Sequence, residues 1–350
     1  MTWENGVKRG WELIQQSPSL YMKGFESGMD ACKVISHRFK SIAFLGVGGS
    51  GIVGDIVTDI ISPTARHQLH TIKDYRVPIP LGMESLVIAL SYSGNTAETI
   101  SAAAEAYASD AFLVVVTSGG HLGNVAGRKG IPIIHVTGGL EPRYAVPEMV
   151  GAVLGLLSGL DVYRETGDLL KNSVAGLSGF LTKYSGVDGL QGFSEVMMGR
   201  VAAVIGHTHL RSTAYRLKAQ LNENAKHPAY VAQLPEACHN EVEGWLPEHP
   251  LAYLIMRSRY EPPAISSALN LIIDHLERGG YPHRVLKVES STYVDEIVKL
   301  IALSDLISVS LAAVKRVDPF QLQFIPQFRR ILSLDGRLVE TALRRFGADR

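Results

Sequence analysis

In the stretch FLGVGGSGIVGD, residues 44–55, an apolar run leads into a glycine-rich loop and then into a helical pattern. Gly46, Gly48 and Gly51 fit G-x-G-x-x-G, the dinucleotide fingerprint, and Asp74 at the end of a later apolar run is the candidate ribose partner. This spacing alone is a weak signal. What the loop holds therefore depends on the rest of the chain.

A second interpretation begins with Ser50, whose hydroxyl lies inside the glycine loop, and continues with the turn SYSGNT, residues 91–96. Ser91, Ser93 and Thr96 supply more hydroxyls than one helix cap requires. A helix N-terminus also offers free N–H groups and a positive dipole, so these hydroxyls can complete a cage around a phosphate monoester. We call Ser50, Ser91, Ser93 and Thr96 the hydroxyl cage.

Three other interpretations of these turns are a plain helix cap, a nucleoside triphosphate site and a dinucleotide site. Asn95 followed by Glu98 resembles a capping box, which would make the second turn a plain helix cap. A nucleoside triphosphate site is disfavoured, because neither turn has the lysine of G-x-x-x-x-G-K-[ST]. A dinucleotide would not need the second turn, whereas a terminal phosphate would use both. The loop, with Gly48 and Gly49, is expected to let the backbone approach a bound sugar phosphate.

Composition excludes several classes of protein. The 350 residues are 46% hydrophobic and 19% charged, which favours two globular domains over disorder. Lysine plus arginine and aspartate plus glutamate both number 34, so no net charge draws the chain to nucleic acid or an anionic membrane. Cys32 and Cys238 form no metal or redox motif, and the charged amino terminus lacks a signal-peptide core, which predicts a cytoplasmic location. The longest apolar run, at residues 149–160, is too short to cross a bilayer and is predicted to form a buried helix.

Apolar runs predict an α/β protein built from two mostly parallel sheets flanked by helices. The strand-like runs are IAFLGV, LHTIKDY, LVIALSYS, FLVVVTS and IPIIHVT in the first series, and VAAVIGH, AYVAQL, LAYLIMRS and RVLKVES in the second. We place one domain with leading helices at residues 1–155. The second domain, with a carboxy-terminal helical extension, is placed at residues 156–350.

Three residues are candidates for proton-transfer chemistry. Glu223 is expected in the last turns of a helix that ends before Pro228. His239 begins the motif HNE in a loop. A carboxylate and an imidazole can move a proton beside a carbonyl and open a sugar ring, and Arg143 can stabilise an enediolate oxygen. Taken singly, the glutamate and histidine would be read as solvated groups and the arginine as a surface or interdomain ion pair.

Two competing constellations are weaker. The motif GHTH, residues 206–209, puts two histidines at a strand end, but no third zinc ligand with suitable spacing follows. No serine lies in the G-x-S-x-G elbow of α/β-hydrolases.

The motifs GVGGSGI, SYSGNTAET, EPRYA, RLKAQLNENAK and CHNEVEGW resemble, in this order, the bifunctional phosphoglucose/phosphomannose isomerase family, whose members have two sugar-isomerase (SIS) domains. The resemblance covers about residues 40–330. It implies phosphate binding by the hydroxyl cage, proton transfer by Glu223, ring opening by His239 and enediolate stabilisation by Arg143. It also implies an enzyme that needs neither a metal nor a cofactor, and a homodimer in which the histidine reaches across from the partner subunit.

The resemblance fails at DPFQLQFIPQFRRIL, residues 318–332. Where the family has D-P-T-P and then a lysine in I-x-x-L-K, this chain has Phe320 and Arg329. An arginine keeps its proton too firmly to act fully as the acid. Ring opening is therefore expected to be slower or to be assisted differently. Phe320 bears on whether glucose and mannose epimers are both accepted, and Gln321 can fill part of the gap.

The sequence thus predicts an aldose–ketose isomerase that interconverts fructose 6-phosphate with glucose 6-phosphate, and also with mannose 6-phosphate if the site accepts that epimer. One alternative is a noncatalytic SIS-type sensor, which would keep the hydroxyl cage but have no use for the three chemical groups. The other is a nicotinamide-dependent oxidoreductase, for which we expect no change in NADH fluorescence on mixing.

Overall fold

A computed structural model describes residues 2–35, 39–184, 187–246, 248–334 and 336–347. The chain forms two compact units. The first-sheet unit comprises Ser17–Lys171 and Leu322–Arg350, and the second-sheet unit comprises Met1–Gln16 and Asn172–Gln321. Each unit is therefore discontinuous in sequence.

The first-sheet unit contains five parallel strands in the order β2-β1-β3-β4-β5. The strands are β1 (Ser41–Leu45), β2 (Gln68–Ile72), β3 (Ser85–Leu90), β4 (Phe112–Thr117) and β5 (Ile133–His135). All six residues of β3 are buried, as expected for a strand covered on both faces. The five strands predicted from the apolar runs are confirmed.

Within the described residues, the first-sheet unit also contains seven complete α-helices. They are α2 (Ser17–Ala31), α3 (Gly48–Ile61), α4 (Ala97–Ala108), α5 (Gly120–Lys129), α6 (Val146–Gly159), α12 (Ile325–Leu332) and α13 (Arg337–Arg345). The chain passes to the second-sheet unit within α7 (Arg164–Thr182). Every residue of α6 from Val146 to Ser158 is buried, which agrees with the buried helix predicted for residues 149–160.

The second-sheet unit contains four parallel strands in the order β7-β6-β8-β9. The strands are β6 (Val201–His207), β7 (Ala229–Leu234), β8 (Leu251–Met256) and β9 (His283–Leu286). Its other helices are α1 (Trp3–Gln15), α8 (Gln191–Met197), α9 (Arg211–Ala225), α10 (Pro263–Arg278) and α11 (Tyr293–Val314). The four strands of the second series are thus confirmed.

The domain limits differ from the predicted cut after residue 155, which would fall inside α6. The amino-terminal residues Met1–Gln16 belong to the second-sheet unit, and the carboxy-terminal residues Leu322–Arg350 belong to the first-sheet unit. Helix α1 packs against α11 of the second-sheet unit, and the Arg9 guanidinium lies 4.5 Å from the centre of the Phe320 ring. At the other end, the buried Phe346 joins the core of the first-sheet unit. An amphipathic helix shows in its sequence that one face is buried, but it does not show which surface covers that face.

Among the described residues, α11 is the helix that is long and apolar enough to cross a membrane by length and composition. It is longer than the run at residues 149–160, which the sequence analysis took as the longest. Of its most apolar 18-residue window, 83% is buried inside the protein. A core helix passes the same test, so α11 is weak evidence for a membrane span.

The candidate site follows from the strand order of the first sheet. The neighbours β1 and β3 are parallel, and the chain leaves them toward opposite edges of the sheet. Their carboxyl ends therefore form a topological switch point, the place where open α/β sheets bind ligands. The glycine loop follows β1, and the SYSGNT turn follows β3.

Candidate functional site

The glycine loop opens directly into α3, whose first residue is Gly48. Gly48 has a φ of +57°, and a side chain there would meet nothing within 4 Å. At Gly49, by contrast, a Cβ atom would lie 3.1 Å from the carbonyl carbon of Pro142 and 3.2 Å from the backbone nitrogen of Arg143. The missing side chain at Gly49 thus allows the start of α3 to lie against the Arg143 backbone.

The hydroxyls predicted to form the cage lie in the first turn of α3 and in the turn that follows β3. The buried Ser50 Oγ accepts a hydrogen bond of 3.0 Å from the backbone N–H of Tyr92. Ser91, also buried, donates to Thr96 Oγ1 over 3.1 Å. The exposed Ser93 accepts from the N–H of Asn95 over 3.3 Å. The structure thus brings Ser50 close to the turn that carries Ser91, Ser93 and Thr96.

The capping-box interpretation of the second turn is wrong. Thr96 occupies the N-cap position of α4, and its side chain makes no capping hydrogen bond. The Asn95 side chain instead accepts a hydrogen bond of 3.0 Å from the N–H of His121 at the start of α5. The Glu98 carboxylate lies 3.4 Å from the Tyr75 hydroxyl. The first turn of α4 therefore keeps its N–H groups facing the loop without the predicted cap.

Arg143 lies on the loop between β5 and α6. It is only 2% exposed, and its guanidinium lies 5.0 Å from the centre of the Tyr144 ring. Burial of a charged side chain is unusual. It excludes the interpretation of Arg143 as a surface residue.

Arg329 lies on α12, where its side chain is exposed. The carbonyl of Leu332, one turn later, accepts a hydrogen bond of 2.8 Å from the Tyr75 hydroxyl. The same hydroxyl contacts Glu98 in the first turn of α4. Tyr75 therefore ties the helix that carries Arg329 to the helix that begins at the hydroxyl cage, a link that the sequence analysis missed.

Glu223 and His239 belong to the second-sheet unit. Glu223 is half-buried in the last turn of α9, which ends at Ala225, before Pro228 as predicted. The Lys226 ammonium donates to the Glu223 carbonyl over 2.7 Å. His239 is exposed at the end of a short 3-10 turn, Glu236–His239. The structure thus groups the hydroxyl cage with Arg143 and Arg329 in one unit, and Glu223 with His239 in the other.

The two histidines of the GHTH motif take part in a buried network. His207 Nε2 lies 3.2 Å from the carbonyl oxygen of Met256, and His209 Nε2 lies 3.1 Å from the Glu296 carboxylate. Burial lowers the pKa of His207 to about 4. No group of three or more potential metal ligands occurs in the part of the chain that the structure describes. These histidines therefore have a structural explanation.

Comparison with known proteins gives the family. Residues 191–332 match the family model of the bacterial phospho-glucose isomerase C-terminal SIS domain. A bifunctional phosphoglucose/phosphomannose isomerase from Aquifex aeolicus is 32% identical over 299 residues, covering 84% of this chain and 91% of the relative. A D-glucosamine-6-phosphate 4-epimerase from Sulfolobus acidocaldarius is 28% identical over 295 residues, covering 83% of this chain and 88% of the relative.

Solved structures agree on the fold. The crystal structure of a putative phosphosugar isomerase from Silicibacter pomeroyi superposes with a TM-score of 0.69 at 17% sequence identity, covering 91% of this chain and 100% of that one. The Aquifex relative is similar over most of both chains, with a level of identity that shows common descent. This chain belongs to the bifunctional phosphoglucose/phosphomannose isomerase family.

Proposed function

We propose that this protein is an aldose–ketose isomerase that interconverts fructose 6-phosphate with glucose 6-phosphate, and with mannose 6-phosphate where the site accepts that epimer. The observation that carries the proposal is the junction of the Ser50 loop and the Ser91–Thr96 turn at the carboxyl ends of β1 and β3. A phosphate monoester suits this place because hydroxyls and free helix N–H groups are both available there. The family supplies the class of substrate.

The chemistry requires one proton to move between the first and second sugar carbons. In the proposed roles, Glu223 removes the proton from one carbon, the electron pair forms an enediolate, and the same carboxyl group returns the proton to the other carbon. Arg143 stabilises the negative enediolate oxygen with a guanidinium that stays charged. His239 opens the sugar ring before this step. The substrate is oxidised at one carbon and reduced at its neighbour, so the reaction balances without an external electron carrier.

The noncatalytic sensor is not favoured, because relatives that match most of this chain are named as enzymes. The nicotinamide-dependent alternative would use the glycine loop alone and would leave the hydroxyl turn after β3 unexplained. The cytoplasmic location stays a prediction. The homodimer with a shared active site also stays a prediction, and mixed dimers test it.

The test of the reaction is a coupled assay on fructose 6-phosphate, with glucose 6-phosphate and mannose 6-phosphate measured separately. We expect wild type to form at least one aldose and Glu223→Gln to lose about a thousandfold or more in kcat, since an essential base is removed. Glu195→Gln, an exposed glutamate on α8 of the same unit, is the matched control and should keep full activity. The proposed role of Glu223 fails if both variants are equally active.

Inactivity of wild type on fructose 6-phosphate would overturn the proposed reaction itself. The product assay should then be repeated on D-glucosamine 6-phosphate, because one relative is named as its 4-epimerase. Melting temperatures with and without sugar phosphate show in either case whether the protein binds the ligand.

Mixed dimers test the shared active site. If His239 acts in the partner's site, Glu223→Gln and His239→Ala chains form one intact site per mixed dimer. Co-expression of the two inactive variants should then restore about a quarter of the wild-type activity, because about half of randomly paired dimers are mixed and each has one of two sites. No recovery, in a preparation shown by tag pull-down to contain mixed dimers, would place His239 in its own subunit's site or outside the chemistry.

A further inference from the structure

Tyr92 lies between Ser91 and Ser93 in the turn after β3 and is 5% exposed. Its backbone is fixed on both sides. The Tyr92 N–H donates to Ser50 Oγ over 3.0 Å, and its carbonyl accepts hydrogen bonds from the N–H and Oγ of Ser118, at 2.9 and 2.7 Å. The peptide units on either side of the Tyr92 Cα are thereby held to the loops after β1 and β4.

The Tyr92 side chain reaches a fourth loop, the one after β5. Its hydroxyl donates to the carbonyl of Thr137 over 2.9 Å and accepts from the N–H of Leu140 over 2.7 Å. Burial raises the pKa of the Tyr92 phenol, so the hydroxyl keeps the proton that it donates. A tyrosine hydroxyl has one hydrogen to give, and here that hydrogen and one lone pair both bind the same backbone segment.

That backbone segment is anchored from behind. The N–H and Oγ1 of Thr137 donate to the fully buried Glu148 carboxylate over 3.0 and 2.8 Å. The Lys23 ammonium in turn donates to Thr137 Oγ1 over 2.6 Å. The loop after β5 is therefore held between Glu148 on one side and the Tyr92 hydroxyl on the other.

Arg143 follows Leu140 by three residues on this loop, and its backbone nitrogen lies against Gly49 at the start of α3. The distance between the hydroxyl cage and the Arg143 guanidinium thus depends on two connections, the packing of the Arg143 backbone against Gly49 and the hydrogen bonds of the Tyr92 hydroxyl. Oriented charges stabilise a developing oxyanion only when they are held at the right place before the reaction.

We propose that Tyr92 is a positioning residue, which holds the Arg143 loop at a fixed distance from the hydroxyl cage so that phosphate binding places the sugar carbons under the guanidinium. This inference rests on the proposed isomerase function and extends it. Tyr92 does not touch the reacting atoms in this scheme. It connects the residues that bind the phosphate to the residue that stabilises the enediolate.

The test is Tyr92→Phe, which keeps the ring and removes only the hydroxyl. Tyr107→Phe is the matched control, because this tyrosine packs against Phe346 behind α4. We expect Tyr92→Phe to lower kcat by about tenfold to a hundredfold, the scale of an ångström-sized misplacement. The KM for fructose 6-phosphate and the inhibition constant of inorganic phosphate should stay within about threefold, because the backbone bond to Ser50 remains.

Two further measurements separate positioning from a general structural role. A five-carbon aldonic acid phosphate carries a carboxylate in place of the enediolate, so its affinity should fall by the same factor as kcat. Combined with Arg143→Ala, Tyr92→Phe should cost nothing more, since residues that act through one another are not additive. The Tyr107→Phe variant should match wild type in all of these assays.

An unchanged kcat in Tyr92→Phe, with wild type active, would overturn this inference and leave the proposed function intact. Equal losses in kcat and in phosphate affinity would also overturn it, because they would place Tyr92 in the cage itself. An inactive wild type would instead count against the proposed function.

Discussion

The backbone N–H of Tyr92 donates a hydrogen bond of 3.0 Å to the Oγ of Ser50, and this bond joins the loop after β3 to the first turn of α3. Both groups are buried. The Ser50 hydroxyl therefore uses a lone pair to hold the two segments together, and in the proposed function it donates its hydrogen to a phosphate oxygen. One residue serves both the fold and the proposed ligand.

Ser50→Ala should consequently affect stability and binding together. The Tyr92 N–H would lose its acceptor in a buried site, which costs about 1–3 kcal/mol of unfolding free energy. Urea unfolding measures this loss, and the KM for fructose 6-phosphate should rise in the same variant. Ser62→Ala, at the exposed far end of α3, should change the unfolding free energy by less than about 0.5 kcal/mol. Equal stability of the two variants would contradict the bond between the loops.

Gly94 and Gly48 provide a paired test of the turn geometry. Both have positive φ, +65° and +57°. A Cβ at Gly94 would overlap the carbonyl oxygen of Gly119, whereas a Cβ at Gly48 would meet nothing within 4 Å. Gly48→Ala should cost only the left-handed strain of about 1–2 kcal/mol. Gly94→Ala should cost clearly more and distort the hydroxyl turn, so phosphate affinity should fall in Gly94→Ala first. Melting curves that rank the two variants in the opposite order would show that the turn relaxes.

The pH dependence of stability follows from His207, which is fully buried. Burial lowers its pKa from 6.5 to about 4. Between these two values the unfolded chain binds the proton and the folded chain does not. Stability should therefore be greatest above pH 6.5 and fall as the pH drops toward 4, by about 3 kcal/mol from this residue.

Urea unfolding at pH 7, 5.5 and 4.5 checks this slope. His207→Gln should flatten it, although His227, whose pKa is also lowered to about 4 mainly by burial, should keep part of it. The exposed His135 serves as the control, since His135→Gln should leave the slope unchanged. A slope that is identical in all three proteins would contradict the neutral, buried state of His207.

Much of the fold could be predicted because parallel strands buried on both faces leave continuous apolar runs. The apolar runs that contain β1 and β3 also indicated where the candidate site lies, since loops at the ends of parallel strands meet at one edge of the sheet. The partners of the loop side chains were harder to predict. The spacing of Asn95 and Glu98 fitted a local helix cap. The Asn95 side chain instead accepts a hydrogen bond from the N–H of His121 at the start of α5, a partner that no spacing in the sequence reveals. Tyr92 looks like an ordinary core aromatic until its hydroxyl is seen to reach Leu140.

The chain ends were mispredicted for a related reason. Helices α1 and α13 each show an apolar face, and nothing in that face names the sheet that covers it. Helix α11 was overlooked as the longest apolar element because acidic residues such as Asp295 and Glu296 interrupt its sequence. Both of these residues are buried. The Asp295 carboxylate accepts a hydrogen bond from the N–H of Ser291, just before the helix, and the Glu296 carboxylate accepts one from Ser258 Oγ. The two carboxylates that interrupt the apolar sequence therefore have hydrogen-bond donors near the start of the helix.

Arg329 gives a prediction about ring opening. In the proposed function it stands where the family has a lysine, and a guanidinium supplies charge and donors but does not readily give up a proton. Arg329→Gln should lower kcat with a cyclic aldose phosphate by about tenfold, the low end of what acid–base assistance contributes. Arg329→Lys should keep or raise the wild-type rate. Arg330→Gln, the adjacent exposed arginine on α12, is the control. If the glutamine variants at 329 and 330 behave alike, Arg329 has no special part in the reaction.

The carboxy-terminal extension should be held to the first-sheet unit mainly by Phe346. This side chain is 1% exposed, and its ring centre lies 5.3 Å from that of Tyr107 on α4. Phe346→Ala should destabilise the docked extension by about 3 kcal/mol. Limited proteolysis should then release a carboxy-terminal fragment faster than in Leu334→Ala, which removes a side chain that is 47% exposed. Because α12 precedes Phe346 in the extension, Phe346→Ala should also lower kcat if the position of Arg329 matters for the reaction. Equal resistance of the two variants to protease would show that contacts other than Phe346 hold the extension.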